Sequence, residues 1–327
     1  MDIHHEINDV GPSSLAHMVG QNSVKAQVAV ALEAAFADTQ PMDSALLVGP
    51  PGCGKSMAAS VIAAEMGCLD DYQEILGQSI VHPSDLYAVL LAAKERSVLH
   101  IDECHLLKKE YQTALYLAID KKTIFTPGGS TGGTPQAVPI SDFTLLMSTT
   151  DEYCLLQPLR ERAKLTLRFE YYTEDELTEL TRQRSRALGW ELEPEILPLI
   201  AGRSKGTPRL ALRLLQSCRR VCRACNQTLI KVEHLNLACE LEQLDGLGLG
   251  VTEQQYLRLL VNGPTRLNVL ASVLNLPSRT ISHVTEPFLL RAGLIWKDEH
   301  SRRQLTAEGR EHLAANQPSC IKGASDE

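Results

Sequence analysis

The sequence has no long apolar segment and no positively charged leader. Its first six residues are polar and acidic overall, and no apolar run approaches 18 residues. A membrane-spanning helix needs about 20 apolar residues, and a signal peptide begins with a basic region. These absences exclude a membrane protein and favour the cytoplasm, where the nine cysteines are expected to be reduced thiols.

An excess of positive charge is also missing. The formal net charge is −8, which argues against a protein that coats nucleic acid by charge alone. The charge is unevenly distributed, however. Residues 1–150 carry 8 Lys/Arg against 17 Asp/Glu, whereas residues 203–231 carry 8 Lys/Arg and no acidic residue. A local basic surface therefore remains compatible with the acidic total.

Length and composition exclude a mainly disordered chain. The 327 residues are 44% hydrophobic and 22% charged, which are ordinary values for globular proteins. At about 100–200 residues per domain, this length predicts two or three domains.

Short apolar runs alternate with helical patterns in the first half of the chain. The predicted strands are residues 45–48, 98–101, 143–147 and 165–169. Such alternation is typical of an α/β fold with a parallel sheet covered on both faces. Beyond Tyr171 helical patterns dominate, with Thr173 as an expected N-cap.

The segment Gly49–Ser56 has the sequence GPPGCGKS, which matches the phosphate-binding pattern G-x-x-x-x-G-K-[ST]. Its glycines allow backbone N–H groups to curve around phosphate oxygens. Lys55 is expected to reach the β- and γ-phosphates, and the Ser56 hydroxyl to ligate Mg²⁺. A strand before the motif and a helix after it provide the context that the motif requires, so we predict an ATP site.

Asp102 and Glu103 directly follow the second predicted strand. An aspartate at this point can hold Mg²⁺, and the adjacent glutamate can orient and deprotonate the attacking water. Alone, an acidic pair at a strand end is common. The phosphate loop upstream favours the catalytic interpretation.

Three further positions gain meaning only beside these motifs. Thr149 or Thr150 could contact the γ-phosphate or the water, although turn chemistry would also explain them. Arg162 and Arg209 could neutralise phosphate charge. The competing interpretation of each arginine is a solvated surface charge.

Cys218, Cys222 and Cys225 have a C-x₃-C-x₂-C spacing found in some iron–sulfur sites. The same spacing fits one face of a helix, and buried thiols behave as small hydrophobic groups. We therefore expect helix packing rather than a metal site.

Together these motifs resemble the RuvB family of AAA+ ATPases over about residues 10–313. The resemblance is carried by Val19-Gly20-Gln21, the phosphate loop, Ile101–His105, Ser148-Thr149-Thr150, Pro158–Arg162 and Gly206-Thr207-Pro208-Arg209. It implies an ATP hydrolase and DNA helicase that drives branch migration of Holliday junctions in recombination and repair. Its expected cofactors are ATP and Mg²⁺.

The resemblance also implies roles for individual residues. Thr149 corresponds to the sensor-1 residue, Arg162 to an arginine finger acting on a neighbouring subunit, and Arg209 to the sensor-2 arginine. Tyr172 lies at a nucleotide-contacting position. The implied nucleotide-binding set is Gly49, Gly52, Cys53, Gly54, Lys55, Ser56, Met57, Tyr172 and Arg209, with Ser56 and Asp102 as metal ligands and Glu103, Arg162 and Thr149 as catalytic residues.

The family resemblance implies three domains and several partners. The expected domains are a nucleotide-binding domain (1–170), a helical lid (171–242) and a winged-helix DNA-binding domain (243–314), followed by a flexible tail (315–327). The expected partners are DNA, five further copies in a hexamer, a RuvA-like junction-binding protein and a RuvC-like resolvase. A protruding hairpin within residues 123–140 falls where the family docks RuvA.

The C-terminal pattern itself predicts a helix–turn–helix followed by a wing. By resemblance, the wing contacts the DNA backbone through Lys297, Arg302 and Arg303. Winged helices also mediate protein contacts, so this assignment competes with a purely structural one.

Two alternatives stay open. The first is a clamp-loader-like or regulatory ATPase that uses ATP as an assembly switch, and the second is a DNA-binding regulator with a degenerate ATPase. The chain departs from the family at Gly11, where the family has an arginine near the adenine.

Overall fold

The computed structural model describes residue 7, residues 10–126 and residues 136–316. They form two compact units. The first contains the residues up to 189 together with 206–209, and the second contains 190–205 together with the residues from 210 onward. In the described part of the chain, no helix is both long and apolar enough to cross a membrane.

The first unit is built on a five-stranded sheet in which every paired strand is parallel. Its strands are β1 (Ala45–Val48), β2 (Tyr72–Leu76), β3 (Val98–Asp102), β6 (Thr144–Thr149) and β7 (Leu165–Arg168), in the order β2-β3-β6-β1-β7. Its helices are α1 (Asn22–Asp38), α2 (Lys55–Glu65), α3 (Pro83–Ala92), α4 (Lys109–Lys121), α5 (Gln157–Arg162) and α6 (Glu174–Ala187). The predicted α/β class is confirmed.

The central strands are apolar because helices cover both faces of the sheet. All residues of β1 and β6 are buried, as expected for parallel strands inside a layered fold. Parallel pairing brings the carboxyl ends of β1, β3 and β6 to one edge, which is where ligands bind in open α/β sheets. The phosphate loop, the acidic pair and the two threonines all lie at the carboxyl ends of these strands.

Helix α6 begins at the predicted cap. The Thr173 hydroxyl accepts a hydrogen bond from the Glu176 N–H at 3.2 Å, and the Glu176 carboxylate accepts one from the Thr173 N–H at 2.9 Å. This reciprocal pair satisfies two N–H groups that the first turn leaves without helical partners.

A two-stranded antiparallel hairpin, β4 (Thr123–Thr126) with β5 (Gln136–Pro139), extends from the end of α4. The pairing confirms the two flanks of the predicted hairpin. Its glycine-rich tip, residues 127–135, lies outside the described residues, as do residues 317–327 of the predicted tail.

The second unit contains a helical part and a winged helix. Its elements are α7 (Ile196–Gly202), α8 (Pro208–Ala224, from Leu210 onward), α9 (Val232–Leu241), α10 (Val251–Leu259), α11 (Leu267–Leu274), α12 (Ser278–Thr280), α13 (Glu286–Arg291), α14 (Ala307–Ala315) and the antiparallel strands β8 (Ile295–Lys297) and β9 (Arg303–Leu305). Helices α12 and α13 are joined by a π-helical turn, Ile281–Thr285.

The winged helix packs around its own apolar core, which includes Tyr256, Leu270, Ile281, Leu289 and Leu305. The predicted helix–turn–helix and wing are therefore present. Helix α12 begins at Ser278, directly after Pro277, and no side-chain hydrogen bond caps it.

Candidate active site

The phosphate loop connects β1 to α2 and uses glycine where the backbone requires it. Gly52 and Gly54 have φ angles of +78° and +92°, values that glycine adopts without the strain caused by a Cβ atom. A Cβ atom on Gly52 would also lie 3.0 Å from the Cβ of Arg209. The loop ends at the N-terminus of α2, whose free N–H groups favour anions.

Lys55 lies at the first position of α2 and is buried. Its ammonium donates to the carbonyls of Gly49 and Pro50 at 2.8 and 3.0 Å. Burial lowers the pKa of Lys55, and the nearby negative charge of Glu103 opposes that shift. The loop thus presents a cation where phosphate oxygens would bind.

Ser56 and Asp102 contact each other across the gap between α2 and β3. The Ser56 hydroxyl donates to Asp102 Oδ2 at 2.9 Å, and Asp102 Oδ1 accepts from the Glu103 N–H at 2.9 Å. Two oxygen ligands at this separation suit a hard cation such as Mg²⁺, which prefers carboxylate and hydroxyl oxygens. The residues present therefore fit the predicted metal.

Glu103 has a left-handed backbone, with φ = +48°, and its side chain is about one-third exposed, at 36%. Its Oε2 lies 3.3 Å from His105 Nδ1 and 3.5 Å from the Thr150 hydroxyl. A non-glycine residue in this conformation is uncommon and marks functional sites. The turn directs the carboxylate away from the strand and toward these two polar partners.

The two threonines at the end of β6 have different surroundings. Thr149 is fully buried, and its hydroxyl contacts His105 Nδ1 at 3.1 Å while accepting from the Asp151 N–H at 2.9 Å. Thr150 is exposed beside Glu103. His105 therefore contacts both Thr149 and Glu103, a link that the sequence motif alone did not reveal.

Tyr172 and Arg209 both lie close to the phosphate loop. The Tyr172 N–H donates to Gly206 O at 2.9 Å, and the Arg209 N–H donates to Gly52 O at 3.3 Å. Burial raises the pKa of Tyr172 to about 12, so the phenol stays neutral at physiological pH. A Cβ atom on Gly54 would lie 3.6 Å from the Tyr172 hydroxyl, so both predicted residues lie beside the phosphate loop.

Cys53 and Met57 complete the predicted nucleotide-binding set. Cys53 is fully buried inside the loop. A Cβ atom on Gly11 would lie 2.9 Å from the Met57 sulfur, so Met57 packs against the bare backbone where the family carries arginine. Any larger residue at position 11 requires the Met57 side chain to move.

The structure contains a set of hydrogen-bonded polar groups beneath the site that the sequence did not predict. His100, on β3, contacts the Tyr72 hydroxyl through Nδ1 at 2.9 Å and the Ser148 hydroxyl through Nε2. Burial lowers the pKa of His100 to about 4, so the ring is neutral at pH 7. These bonds connect β2, β3 and β6 below the acidic pair. A histidine inside an otherwise apolar strand is the sequence feature that could have indicated them.

Arg162 is held by residues of α4, away from the contacts of the phosphate loop. Its Nε donates to Asp120 Oδ2 at 2.8 Å, and its guanidinium lies 5.4 Å from the Tyr116 ring centroid. Arg162 also lines an open groove of about 1110 Å³ against the small residues of α1, including Ala31 and Ala34. Arg162 therefore lies at the wall of an open groove and is bonded to Asp120.

Part of the basic segment has partners within the second unit, although Arg213 and Arg220 stay largely exposed. Arg213 and Arg220 each lie 3.7 Å from the Glu242 carboxylate, and Arg219 lies over the Trp190 ring at 5.6 Å. Cys218 and Cys222 are buried along α8. The described residues contain no group of three or more metal-ligating side chains, which favours the helix-packing interpretation of the cysteines.

The wing corrects one predicted DNA contact. Arg303 is buried, its Nε donates to Glu286 Oε1 at 2.7 Å, and its Nη2 donates to Oε2 at 3.2 Å. Lys297 is partly exposed and lies 2.9 Å from the same carboxylate. Arg302 is also partly exposed and pairs with Asp298 at 2.7 Å. Arg303 is therefore an internal partner of Glu286, because Glu286 is fully buried and requires a compensating charge.

This correction predicts a stability effect. Replacing Arg303 by methionine is expected to lower the free energy of unfolding of the winged helix by about 3–5 kcal/mol, because it leaves the Glu286 charge buried with fewer partners. Urea unfolding followed by the fluorescence of Trp296, on β8, measures the change. Arg302→Met is the matched control and is expected to have little effect. Equal effects of the two variants would contradict the structural role of Arg303.

Three family models match consecutive parts of the chain. They are the Holliday junction DNA helicase RuvB P-loop domain over residues 10–169, the RuvB AAA lid domain over residues 172–245 and the RuvB C-terminal winged helix domain over residues 246–314. Together they account for nearly all of the described residues.

Similar proteins match over most of their length. The Holliday junction branch migration complex subunit RuvB of Pseudothermotoga lettingae is 34% identical over 318 residues, or 95% of this chain and 91% of that protein. The subunit of the same description from Tropheryma whipplei is 34% identical over 308 residues, or 92% and 88%. Each is therefore similar across all three matched domains.

Solved structures give the same result. The Thermotoga maritima RuvB Holliday junction branch migration motor has a TM-score of 0.79 and 32% identity, covering 94% of this chain and 99% of that one. A point mutant of Thermotoga maritima RuvB has a TM-score of 0.82 at 32% identity, covering 94% and 100%.

Proposed function

Because the chain belongs to the RuvB family of AAA+ ATPases, we propose that it is an ATP-driven motor that moves the branch point of Holliday junctions in recombination and DNA repair. The observation that carries this proposal is the contact between Ser56 and Asp102 beside Glu103, at the edge of a parallel sheet, in a chain that also contains a winged helix. The proposed compartment is the cytoplasm.

The phosphate loop would bind ATP through its backbone N–H groups and Lys55. Ser56 and Asp102 would hold Mg²⁺, which would neutralise the negative charge of the phosphates. Gly49, Gly52, Cys53, Gly54, Met57, Tyr172 and Arg209 would form the rest of the nucleotide-binding surface. The proposed domains are residues 1–170 for ATP, 171–242 for the lid and 243–314 for DNA.

Glu103 would accept the proton of the water that attacks the γ-phosphate. A general base must be oriented toward that water, and the contacts of Glu103 with His105 and Thr150 supply an orientation. Thr149 would act on the same carboxylate through His105. Thr150, exposed beside Glu103, is the second candidate for contact with the γ-phosphate.

The proposed assembly is a homohexameric ring. Arg162 is held by Asp120 along the α1–α4 groove rather than by the phosphate loop, so it would complete the site of a neighbouring subunit. The β4–β5 hairpin, with a partly exposed Phe125, would dock a RuvA-like junction-binding protein. Lys297 and Arg302 would contact the DNA backbone, and a RuvC-like resolvase would act on the same junction.

The pairing of the wing cations favours one second candidate function. Lys297, Arg302 and Arg303 are each bonded to an acidic residue, which suits a wing that contacts protein instead of DNA. The chain would then be a clamp-loader-like or regulatory ATPase in which ATP controls assembly.

Steady-state ATP hydrolysis distinguishes the two functions. For the motor, we expect hydrolysis that is abolished when EDTA removes Mg²⁺ and that increases when duplex DNA is added. For the assembly switch, ATP would change the oligomeric state measured by light scattering, while duplex DNA would leave the hydrolysis rate unchanged. An unchanged rate at saturating duplex would contradict the motor.

A further inference from the structure

The segment Arg203–Lys205 is held by residues of the winged helix. Lys205 forms an ion pair with Glu253, at the start of α10, and the two side chains are only 15% and 17% exposed. The other oxygen of Glu253 accepts from the Gly250 N–H at 2.7 Å. Glu253 is thereby fixed on both sides, and Lys205 is fixed to it.

Helix α13 holds the same lysine from a second direction. The Lys205 ammonium lies 5.6 Å from the Phe288 ring centroid, and the Arg291 guanidinium lies 5.3 Å from the same ring. Arg291 Nη2 donates to the Lys205 carbonyl. Both the side chain and the backbone of Lys205 are therefore engaged by the winged helix.

The segment before α10 adds a backbone contact. Gly248 has φ = +72°, and a Cβ atom there would lie 2.0 Å from the Arg203 carbonyl oxygen. Only glycine allows such a close approach of the two backbones. Arg203 and Lys205 are thus both held by residues of the second half of this unit.

The residues that follow in the chain belong to the candidate ATP site. Gly206 O accepts from the Tyr172 N–H at 2.9 Å, and the Arg209 N–H donates to Gly52 O at 3.3 Å. Lys205 and Gly206 both have positive φ angles, +50° and +74°. Within seven consecutive residues, Arg203 and Lys205 contact the winged helix, whereas Gly206 contacts Tyr172 and Arg209 contacts the phosphate loop.

We propose that Lys205 is a positioning residue that couples the winged helix to the Arg209 segment of the ATP site. Its ion pair with Glu253 and its carbonyl bond to Arg291 transmit a change at the winged helix to the next four residues of the chain. By reciprocity, a change of nucleotide at the phosphate loop acts on the winged helix through the same residues. This inference rests on the proposed function, in which duplex DNA stimulates ATP hydrolysis.

The test measures kcat for ATP hydrolysis with and without saturating duplex DNA. Lys205→Met is expected to leave kcat without DNA close to the wild-type value and to reduce the stimulation by DNA about fivefold or more. Glu253→Gln should have the same effect. The conservative variant Lys205→Arg should restore stimulation, because it keeps the positive charge beside Glu253.

Lys231→Met is the matched control, because it removes an exposed pair with Glu233 in the same unit and should leave stimulation unchanged. Full stimulation in a Lys205→Met protein would overturn the inference. So would loss of stimulation in Lys205→Met without any recovery in Lys205→Arg. Absence of stimulation in the wild-type protein would instead contradict the proposed motor, and the inference with it.

Discussion

Replacing Glu103 by glutamine is expected to lower kcat for ATP hydrolysis about 10²–10⁴-fold, while ATP binding stays close to that of the wild-type protein. Glutamine keeps the size and hydrogen-bonding capacity of the side chain but cannot accept the proton of the attacking water. Lys55, Ser56 and Asp102, which would hold the phosphates and Mg²⁺, remain in place. Single-turnover hydrolysis and equilibrium binding of a fluorescent ATP analogue measure the two quantities separately.

Glu33→Gln, an exposed substitution on α1, is the control for the loss of one negative charge. It should hydrolyse ATP at the wild-type rate. If Glu103→Gln kept the wild-type kcat, Glu103 would have no role as the base. If it failed to bind ATP, its role would be structural.

The second large effect concerns Arg162. Arg162→Ala is expected to lower kcat about 10³–10⁵-fold, the range for an arginine supplied in trans to a phosphoryl-transfer site. Lys55→Ala is expected to be inactive because it cannot hold the phosphates. Mixing the two inactive proteins should restore activity, because one subunit then supplies Lys55 and its neighbour supplies Arg162.

In randomly mixed rings, about a quarter of the interfaces contain both intact residues, so the recovered rate should not exceed about a quarter of the wild-type rate. Lys164→Ala removes a nearby exposed cation that pairs with Asp43 at 2.7 Å and serves as the control for Arg162→Ala. It should retain wild-type activity. Mixed rings verified by mass measurement that showed no recovery would contradict a site shared between subunits.

The sequence predicted four of the five strands of the sheet, β1, β3, β6 and β7, and missed β2. Strands β1, β3 and β6 are buried and mostly apolar, and each ends beside polar residues, whereas three of the five residues of β2 are exposed. The same rule brought Lys55, Asp102 and Thr149 to one edge of the sheet. Motif spacing therefore predicted the fold, while the roles of the site residues stay predictions.

Contacts between distant residues were not predictable in the same way. The wing sequence near Arg303 gives no sign of Glu286, which lies 17 residues earlier and neutralises it inside the domain. His105 and Thr150 lie near the Glu103 carboxylate because the backbone of Glu103 is left-handed, a conformation that the sequence did not indicate. The contacts of the winged helix with Lys205 are made by Glu253 and Arg291, which lie 48 and 86 positions later in the chain. These features arise from tertiary packing, which local patterns do not contain.

Junction movement measured beside ATP hydrolysis tests the central claim most directly. A labelled synthetic four-way junction is incubated with its junction-binding partner, ATP and Mg²⁺, and the dissociation rate is compared for the wild-type protein and Glu103→Gln. If ATP hydrolysis at the Glu103 site drives the movement, the wild-type protein should dissociate the junction. The Glu103→Gln protein should bind the junction without dissociating it. Equal dissociation by both proteins, or binding of the junction without movement by the wild-type protein, would contradict it.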